Sequence, residues 1–245
     1  MGLLFVGCSS TKPLSTDGAE NLYLLAKKNI ENGQYLLGID RLDELKTTYS
    51  MSDFILKAEI LKGEALFQQE NYQDSIDVFM NFQTMNPSYE KMDYIQWMIA
   101  EGYFRSMPDT IDRDLAMAYD AIRQYSILAK DFPNSKYLKE VEGRLKACQE
   151  FIYKREMYIA DFYFKTKRFQ SSSSRYKDIL SSSAPKSFKE KAYKNYILSL
   201  MNGRKYLRCL EALKTNEVVG YISKADERNY LETCKSGARE EENEF

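Results

Sequence analysis

Small and bulky apolar residues follow one another along this chain at the spacing of a helix face. Gly38, Leu42 and Leu45 form one such set, in which a small residue is followed by bulky residues four and seven positions later. Residues at these separations lie on the same side of an α-helix. The small residue therefore leaves room for a neighbouring helix, and the bulky pair packs beside it. The pattern predicts helices that pair closely.

The same pattern recurs along the chain. An offset of 37 residues maps Gly38 onto Ser75 and Leu42 onto Phe79. Three further copies carry related sets: Ala121, Tyr125 and Leu128; Ser172, Tyr176 and Ile179; and Tyr206, Cys209 and Leu213. Three copies end near a proline, which cannot continue a helix. Helix–turn–helix repeats of about 34 residues with these features are tetratricopeptide repeats.

The predicted fold is an all-α tetratricopeptide-repeat solenoid of five helix pairs with a C-terminal capping helix. The repeats are predicted at about residues 19–51, 52–88, 92–134, 153–185 and 187–216, and the cap at 223–236. Gly237 is predicted to end the capping helix, because glycine commonly follows the last helical residue. Residues 237–245 are predicted to be a disordered acidic tail.

A short apolar run precedes Cys8 at the start of the chain. Phe5-Val6-Gly7-Cys8 is similar to the end of a bacterial lipoprotein signal, in which a small residue precedes the cysteine that becomes lipidated. Residues 9–18 are polar and aperiodic, as in a flexible tether. We therefore predict that residues 1–18 are a signal remnant and tether with the lipidation site Cys8. The alternatives are a stray apolar terminus or a buried thiol.

Composition and charge exclude several other functions. The net charge of −1 lacks the basic excess of a nucleic-acid-binding protein. The chain contains no histidine, no glycine-rich phosphate loop and no CxxC pair, so neither an enzyme nor a metal site is predicted. A histidine-free hydrolase that uses two carboxylates is the remaining enzymatic alternative. Cys148 fits a core thiol, and if Cys8 carries lipid, the odd number of remaining thiols argues against a disulfide framework.

The first helix of each pair is predicted to line a groove that binds an extended peptide. Aromatic rings would hold apolar side chains, and lysines would pair with a terminal carboxylate. The predicted groove residues are Tyr23, Lys27, Lys57, Ile60, Phe67, Trp97 and Phe104, with Ile30, Glu64 and Glu101 in the same rows. The alternative for Phe67 and Phe104 is that they are core residues between helices.

The segment 93–163 goes beyond a generic repeat. It contains Asp93-Tyr94, an inserted loop that ends at Asp112-Arg113-Asp114, the block Asp131-Phe132-Pro133-Asn134-Ser135-Lys136-Tyr137, and then Tyr158, Ala160 and Tyr163. This arrangement closely resembles the BamD (ComL) family, the lipoprotein subunits of the bacterial β-barrel assembly machinery. The resemblance covers about residues 20–215.

This resemblance implies a non-catalytic scaffold on the periplasmic face of the outer membrane, held there by lipid on Cys8, with no other cofactor. It implies that the C-terminal repeats bind the periplasmic domains of a BamA-like barrel subunit, together with other lipoproteins of the machinery. The N-terminal repeats would receive the C-terminal segments of unfolded outer-membrane proteins. Arg204, Lys205 and Arg208 are candidates for part of the BamA contact; the alternative is a solvated helix turn.

A second function remains open at this point. Another lipid-anchored periplasmic tetratricopeptide adaptor, one that docks cell-envelope enzymes or division proteins, would have the same repeats and the same anchor. The two functions differ in the partner that each would retain.

Overall fold

The computed structural model describes residues 16–214 and 220–243. Within these ranges the chain forms eleven α-helices and no β-strand. The helices are α1 (Thr16–Glu31), α2 (Tyr35–Thr48), α3 (Ile55–Gln68), α4 (Tyr72–Met85), α5 (Met92–Arg105), α6 (Ala116–Asp131), α7 (Leu138–Lys165), α8 (Phe169–Ser181), α9 (Lys186–Asn202), α10 (Tyr206–Lys214) and α11 (Lys224–Asn243). The predicted all-helical repeat fold is confirmed. Cys8 lies outside the described residues, as does nearly all of the predicted tether.

The chain divides into two compact units. Unit 1 comprises residues 1–107 and 119–144, and unit 2 comprises residues 108–118 and 145–245. In both units helices that follow one another along the chain pack together, with the pairs α1–α2 and α3–α4 in unit 1 and α8–α9 in unit 2. The predicted fourth repeat begins at residue 153, whereas its first helix, α7, already begins at Leu138.

Unit 1 is built by the small-for-large packing that the sequence predicts. Gly63 on α3 faces the ring of Phe79 on α4, so closely that a Cβ at Gly63 would lie 2.6 Å from a ring carbon. Ser75 occupies the small position of α4, and its buried hydroxyl donates to the carbonyl of Gly63 at 2.8 Å. A larger side chain at either position would push α3 and α4 apart.

A buried chain of glutamine amides adds polar links within unit 1. Gln96 on α5 is almost completely buried. Its carbonyl oxygen accepts from Gln83 on α4 at 3.0 Å, and its amide nitrogen donates to the side chain of Gln124 on α6 at 2.9 Å. Because a buried amide without partners is costly, these bonds favour one alignment of the three helices.

In unit 2 a disulfide links Cys209 on α10 to Cys234 on α11. The expectation that the thiol count argues against a disulfide is therefore wrong. Three thiols also accommodate one bridge and one cysteine outside it, and the buried Cys148 is not part of the Cys209–Cys234 bridge. The odd count could not show that two neighbouring helices bring Cys209 and Cys234 together.

The prediction that Gly237 ends the capping helix is also wrong. Helix α11 continues through Gly237 to Asn243, so most of the segment predicted as a disordered tail is helical. Gly237 instead faces the ring of Tyr206 on α10, where a Cβ would lie 2.5 Å from a ring carbon. The glycine serves close packing of the two helices rather than a chain turn.

Candidate peptide-binding face of the first helices

The residues predicted to line a groove occupy equivalent positions on α1, α3 and α5 of unit 1. The 37-residue offset places Tyr23, Ile60 and Trp97 in one row. It places Lys27, Glu64 and Glu101 in a second row, and Ile30, Phe67 and Phe104 in a third. We call this set the first-helix face.

At the α1–α3 end of this face, a second ring and one cation lie next to the Phe54 ring. The Tyr23 ring lies 5.5 Å from the Phe54 ring, and the Lys57 ammonium lies 4.9 Å from the centre of the same ring. Tyr23 and Phe54 are half-buried and Lys57 is exposed. Lys27 is also exposed, and its ammonium lies 3.9 Å from the Glu31 carboxylate. This end offers an accessible ring surface next to positive charge.

Glu64 links α3 to α5 on the same face. The Tyr94 hydroxyl donates to the Glu64 carboxylate at 2.5 Å. Burial and the Glu64 charge raise the pKa of Tyr94 well above its ordinary value, and the same two causes raise the pKa of Tyr23. Both shifts favour the neutral phenol, so Tyr23 and Tyr94 are uncharged on this face.

Glu101 is the most deeply buried charge of the face, with 5% of its surface exposed. It accepts hydrogen bonds from the Tyr125 hydroxyl and from Arg144 on α7, whose Nε and Nη2 lie 2.7 and 3.1 Å from its two oxygens. The Arg144 guanidinium also lies 4.7 Å from the centre of the Phe104 ring. This bidentate pair fixes the start of α7 against α5.

Two predicted groove residues do not offer an accessible surface. Trp97 is 8% exposed and lies between the rings of Tyr125 and Tyr137, at 5.8 and 5.4 Å. Ile30 is a core residue with 4% exposure. The prediction that these two side chains face a ligand is wrong, because other aromatic or aliphatic groups of unit 1 already cover them.

The remaining apolar groove residues are partly accessible. Ile60, Phe67 and Phe104 are half-buried. Phe67 contacts Tyr72 edge to face at 5.1 Å. Their partial burial agrees in part with the alternative that these residues belong to the core between helices. Their exposed edges also allow contact with a ligand.

Sequence reasoning missed three residues of this face. Tyr94 could have been found, because the 37-residue offset maps Lys57 onto it. Phe54 immediately precedes α3, outside the helical pattern. Arg144 follows the insertion between α5 and α6, where the offset no longer holds, so no sequence signal pairs it with Glu101.

The predicted partner-contact residues lie on unit 2, around the turn from α9 to α10. Arg204, Lys205 and Arg208 are all exposed. Arg204 has a positive φ of 53°, and the backbone amide of Lys205 donates to the carbonyl of Leu200 at 2.8 Å. The turn therefore holds two cationic side chains just before α10, and Arg208 follows on its first turn.

Within residues 16–214 and 220–243, no cluster of three or more histidine, cysteine, aspartate or glutamate residues has the arrangement of a metal site. None of the helices in these ranges combines the length and the apolar character that crossing a membrane requires.

These helix pairs define an all-helical protein of the tetratricopeptide-repeat class. The family model of YfiO, described as an outer membrane lipoprotein, matches residues 16–218. Because this match spans most of the chain, the chain belongs to the YfiO family of outer membrane lipoproteins. The resemblance to the BamD family is confirmed.

The chain is similar to relatives that carry the name outer membrane protein assembly factor BamD. The relative from Vibrio cholerae serotype O1 is 25% identical over 175 residues, which cover 67% of this chain and 72% of the relative. The relative from Rickettsia prowazekii is 22% identical over 187 residues, which cover 74% of this chain and 72% of the relative. Among solved structures, the TPR2AB-domain:pHSP90 complex of yeast Sti1 is 11% identical, with a TM-score of 0.47 and 94% of each chain covered.

Proposed function

We propose that this chain is a non-catalytic scaffold for the assembly of outer-membrane proteins. The observation that carries the proposal is the family match over residues 16–218, together with relatives named as outer membrane protein assembly factors. A stacked set of helix pairs suits such a role, since tetratricopeptide repeats present extended surfaces to other proteins.

The proposed location is the periplasmic face of the outer membrane, with lipid attached to Cys8. The family description as an outer membrane lipoprotein supports this location. The Cys209–Cys234 disulfide is a second support, because disulfides persist in oxidising compartments such as the periplasm and are rare in the cytosol. No cofactor other than the covalent lipid belongs to the proposal.

The proposed client site is the first-helix face of unit 1. Unfolded outer-membrane proteins would bind there through their C-terminal segments. The rings of Tyr23 and Phe54 would contact an apolar side chain, and Lys57 would pair with the terminal carboxylate. The half-buried rings and the exposed ammonium at this end of the face support the assignment.

The proposed partner contact is the exposed basic turn of unit 2. Arg204, Lys205 and Arg208 would contribute to binding the periplasmic domains of a BamA-like barrel subunit, and other lipoproteins of the machinery would join the same complex. The exposure of all three side chains supports this part of the proposal.

Affinity purification of the full-length protein from detergent-solubilised membranes tests the proposal. We expect a β-barrel protein with periplasmic domains to co-purify, and depletion of the chain to lower the levels of outer-membrane proteins. Recovery of peptidoglycan enzymes or division proteins, with outer-membrane protein levels unchanged, would instead identify the second kind of lipid-anchored adaptor.

The basic turn has its own test. The double substitution Arg204→Glu and Lys205→Glu should reduce recovery of the barrel subunit, whereas Lys224→Glu, an exposed cation on α11, should leave recovery unchanged. Equal recovery with both variants would show that the turn is not part of the contact.

A further inference from the structure

Unit 2 contains a large cavity bounded by α8, α9 and α10. Its volume is about 840 Å³, which lies in the range of ligand-binding clefts. Cationic side chains enter it from all three helices: Lys177 from α8, Lys189 from α9 and Arg208 from α10. Three tyrosines also line it, at positions 193, 196 and 221.

Within the part of the chain that the structure describes, the three cations of this cavity have no acidic partner. Lys177, Lys189 and Arg208 form no ion pair within residues 16–214 and 220–243. Glu211 is the one acidic residue in the described lining, so cationic charge predominates there. Cations that line a concave surface without partners attract an anionic ligand, because field lines are focused in a cleft.

The tyrosines give the cavity aromatic walls and two phenolic hydroxyls of different status, those of Tyr193 and Tyr196. The Tyr193 hydroxyl donates to the carbonyl of Ala212 at 3.1 Å, and the Tyr193 ring lies 6.2 Å from the Tyr221 ring. These bonds and contacts hold Tyr193 in place. The Tyr196 hydroxyl forms no hydrogen bond within the described part of the chain and is available to a ligand.

The length of the cavity indicates the shape of the ligand. The lining residues of α8 run from Gln170 to Ser181, a distance of about 16 Å at the helical rise per residue. An extended peptide covers that distance with about five residues. A single small anion would occupy only a small part of such a volume.

We propose that this cavity binds an extended acidic segment of a partner protein. Carboxylates of the segment pair with Lys177, Lys189 and Arg208, and its backbone or side chains contact Tyr196 and the neighbouring rings. The site goes beyond the proposed function, which involves only Arg208 among these residues. The client and partner assignments above do not depend on it.

A labelled hexaglutamate peptide tests the site with the full-length protein. We expect binding that is measurable by fluorescence anisotropy at low salt and that weakens as salt increases. Lys189→Glu should weaken binding about tenfold or more, as reversal of a contacting charge does. Because Lys189 is half-buried, the exposed substitution Lys177→Glu provides a second variant, and circular dichroism checks that both fold.

The matched control is Lys194→Glu. Lys194 lies on α9 as Lys189 does and is exposed, but it does not line the cavity. Equal weakening by Lys194→Glu and Lys189→Glu would overturn the proposal, since binding would then follow net charge alone. Absence of binding at low salt would also overturn it. Displacement of the peptide by an equal concentration of inorganic phosphate would show a simple anion site instead of a peptide site.

Failure of this site and failure of the proposed function give different results. Lys177 and Lys189 lie outside the basic turn that is assigned to the barrel subunit. If reversing the charge of either lysine abolishes hexaglutamate binding while the barrel subunit still co-purifies, the cavity binds a different partner. If co-purification fails for the wild-type chain while hexaglutamate still binds, the cavity stands and the assembly function does not.

Discussion

Charged residues are used differently by the first-helix face of unit 1 and the cavity of unit 2. In unit 1 the acids Glu64 and Glu101 are matched by Tyr94 on α5 and Arg144 on α7. In unit 2 the cations Lys177 and Lys189 line a cavity without an acidic partner in the described part of the chain.

This difference separates charges that hold helices together from charges that are available to a ligand. A buried charge without a partner is costly, so a paired group such as Glu101 contributes to alignment of the helices. An unpaired cation at the surface of a cleft retains most of its hydration and can exchange it for a ligand carboxylate. Each prediction below tests one side of this comparison.

The largest effect is expected from breaking the Glu101–Arg144 pair. Arg144→Ala would leave Glu101 buried without its bidentate partner, and we expect a loss of about 3–5 kcal/mol in the free energy of unfolding. Urea denaturation followed by circular dichroism measures it. The double substitution Glu101→Gln and Arg144→Met should recover much of the loss, because it removes both charges.

Arg105 offers a matched control for this prediction. Its Nε lies 3.8 Å from the same carboxylate, but the side chain is 49% exposed. We therefore expect Arg105→Ala to cost at most about 1 kcal/mol. If both arginine variants lowered the free energy of unfolding equally, depth of burial would not distinguish charges that hold helices together from charges that are available to a ligand.

The second largest effect is expected from the disulfide of unit 2. Cys209 and Cys234 are separated by 25 residues, and a loop of that length corresponds to a stabilisation of about 3 kcal/mol. The double substitution Cys209→Ser and Cys234→Ser should lower the free energy of unfolding by that amount, as should reduction of the wild-type protein. Reductant should leave the double variant unchanged. A further loss on reduction would mean that another disulfide stabilises the chain.

The sequence predicts the packing of unit 1 better than its charge pairing. The 37-residue offset predicts that Ser75 and Phe79 repeat the roles of Gly38 and Leu42, because helix pairing depends on size and spacing within one repeat. The Glu101–Arg144 pair joins residues on either side of the insertion between α5 and α6, so the 37-residue offset does not connect them.

The predictions for single residues were wrong where one sequence signal is compatible with two different structures. An aromatic residue on the first-helix face can be exposed to solvent or packed under another ring. Trp97 stacks on Tyr137, which follows the last helix of its repeat. A glycine near the end of a helix can end the helix or leave space for a side chain of a neighbouring helix, and Gly237 leaves space for the ring of Tyr206. The cysteine count is equally ambiguous, since it contains no distance between Cys209 and Cys234.

A smaller effect is expected at the accessible end of the first-helix face. Lys57→Glu should weaken binding of a short synthetic peptide from the C-terminus of an outer-membrane β-barrel protein about tenfold, because it replaces the cation that would pair with the terminal carboxylate. Isothermal titration calorimetry measures the change. Lys28→Glu on α1 is the control, since Lys28 is exposed and, unlike Lys57, is not one of the residues predicted to line the groove. Amidation of the peptide terminus should remove the difference between wild type and Lys57→Glu; persistence of that difference would exclude the carboxylate contact.

The smallest effect is expected from neutralising a cation of the unit 2 cavity. Lys177 is exposed and forms no ion pair in the part of the chain that the structure describes, so Lys177→Ala should change the free energy of unfolding by no more than about 0.5 kcal/mol. Lys62→Ala provides the comparison in unit 1, because the Lys62 ammonium lies 2.6 Å from the Asp43 carboxylate and should contribute up to about 1 kcal/mol. Thermal and urea unfolding of both variants measure the difference. A loss at Lys177 equal to or greater than that at Lys62 would mean that the cavity cation already stabilises the fold, and it would then be less available to an acidic ligand.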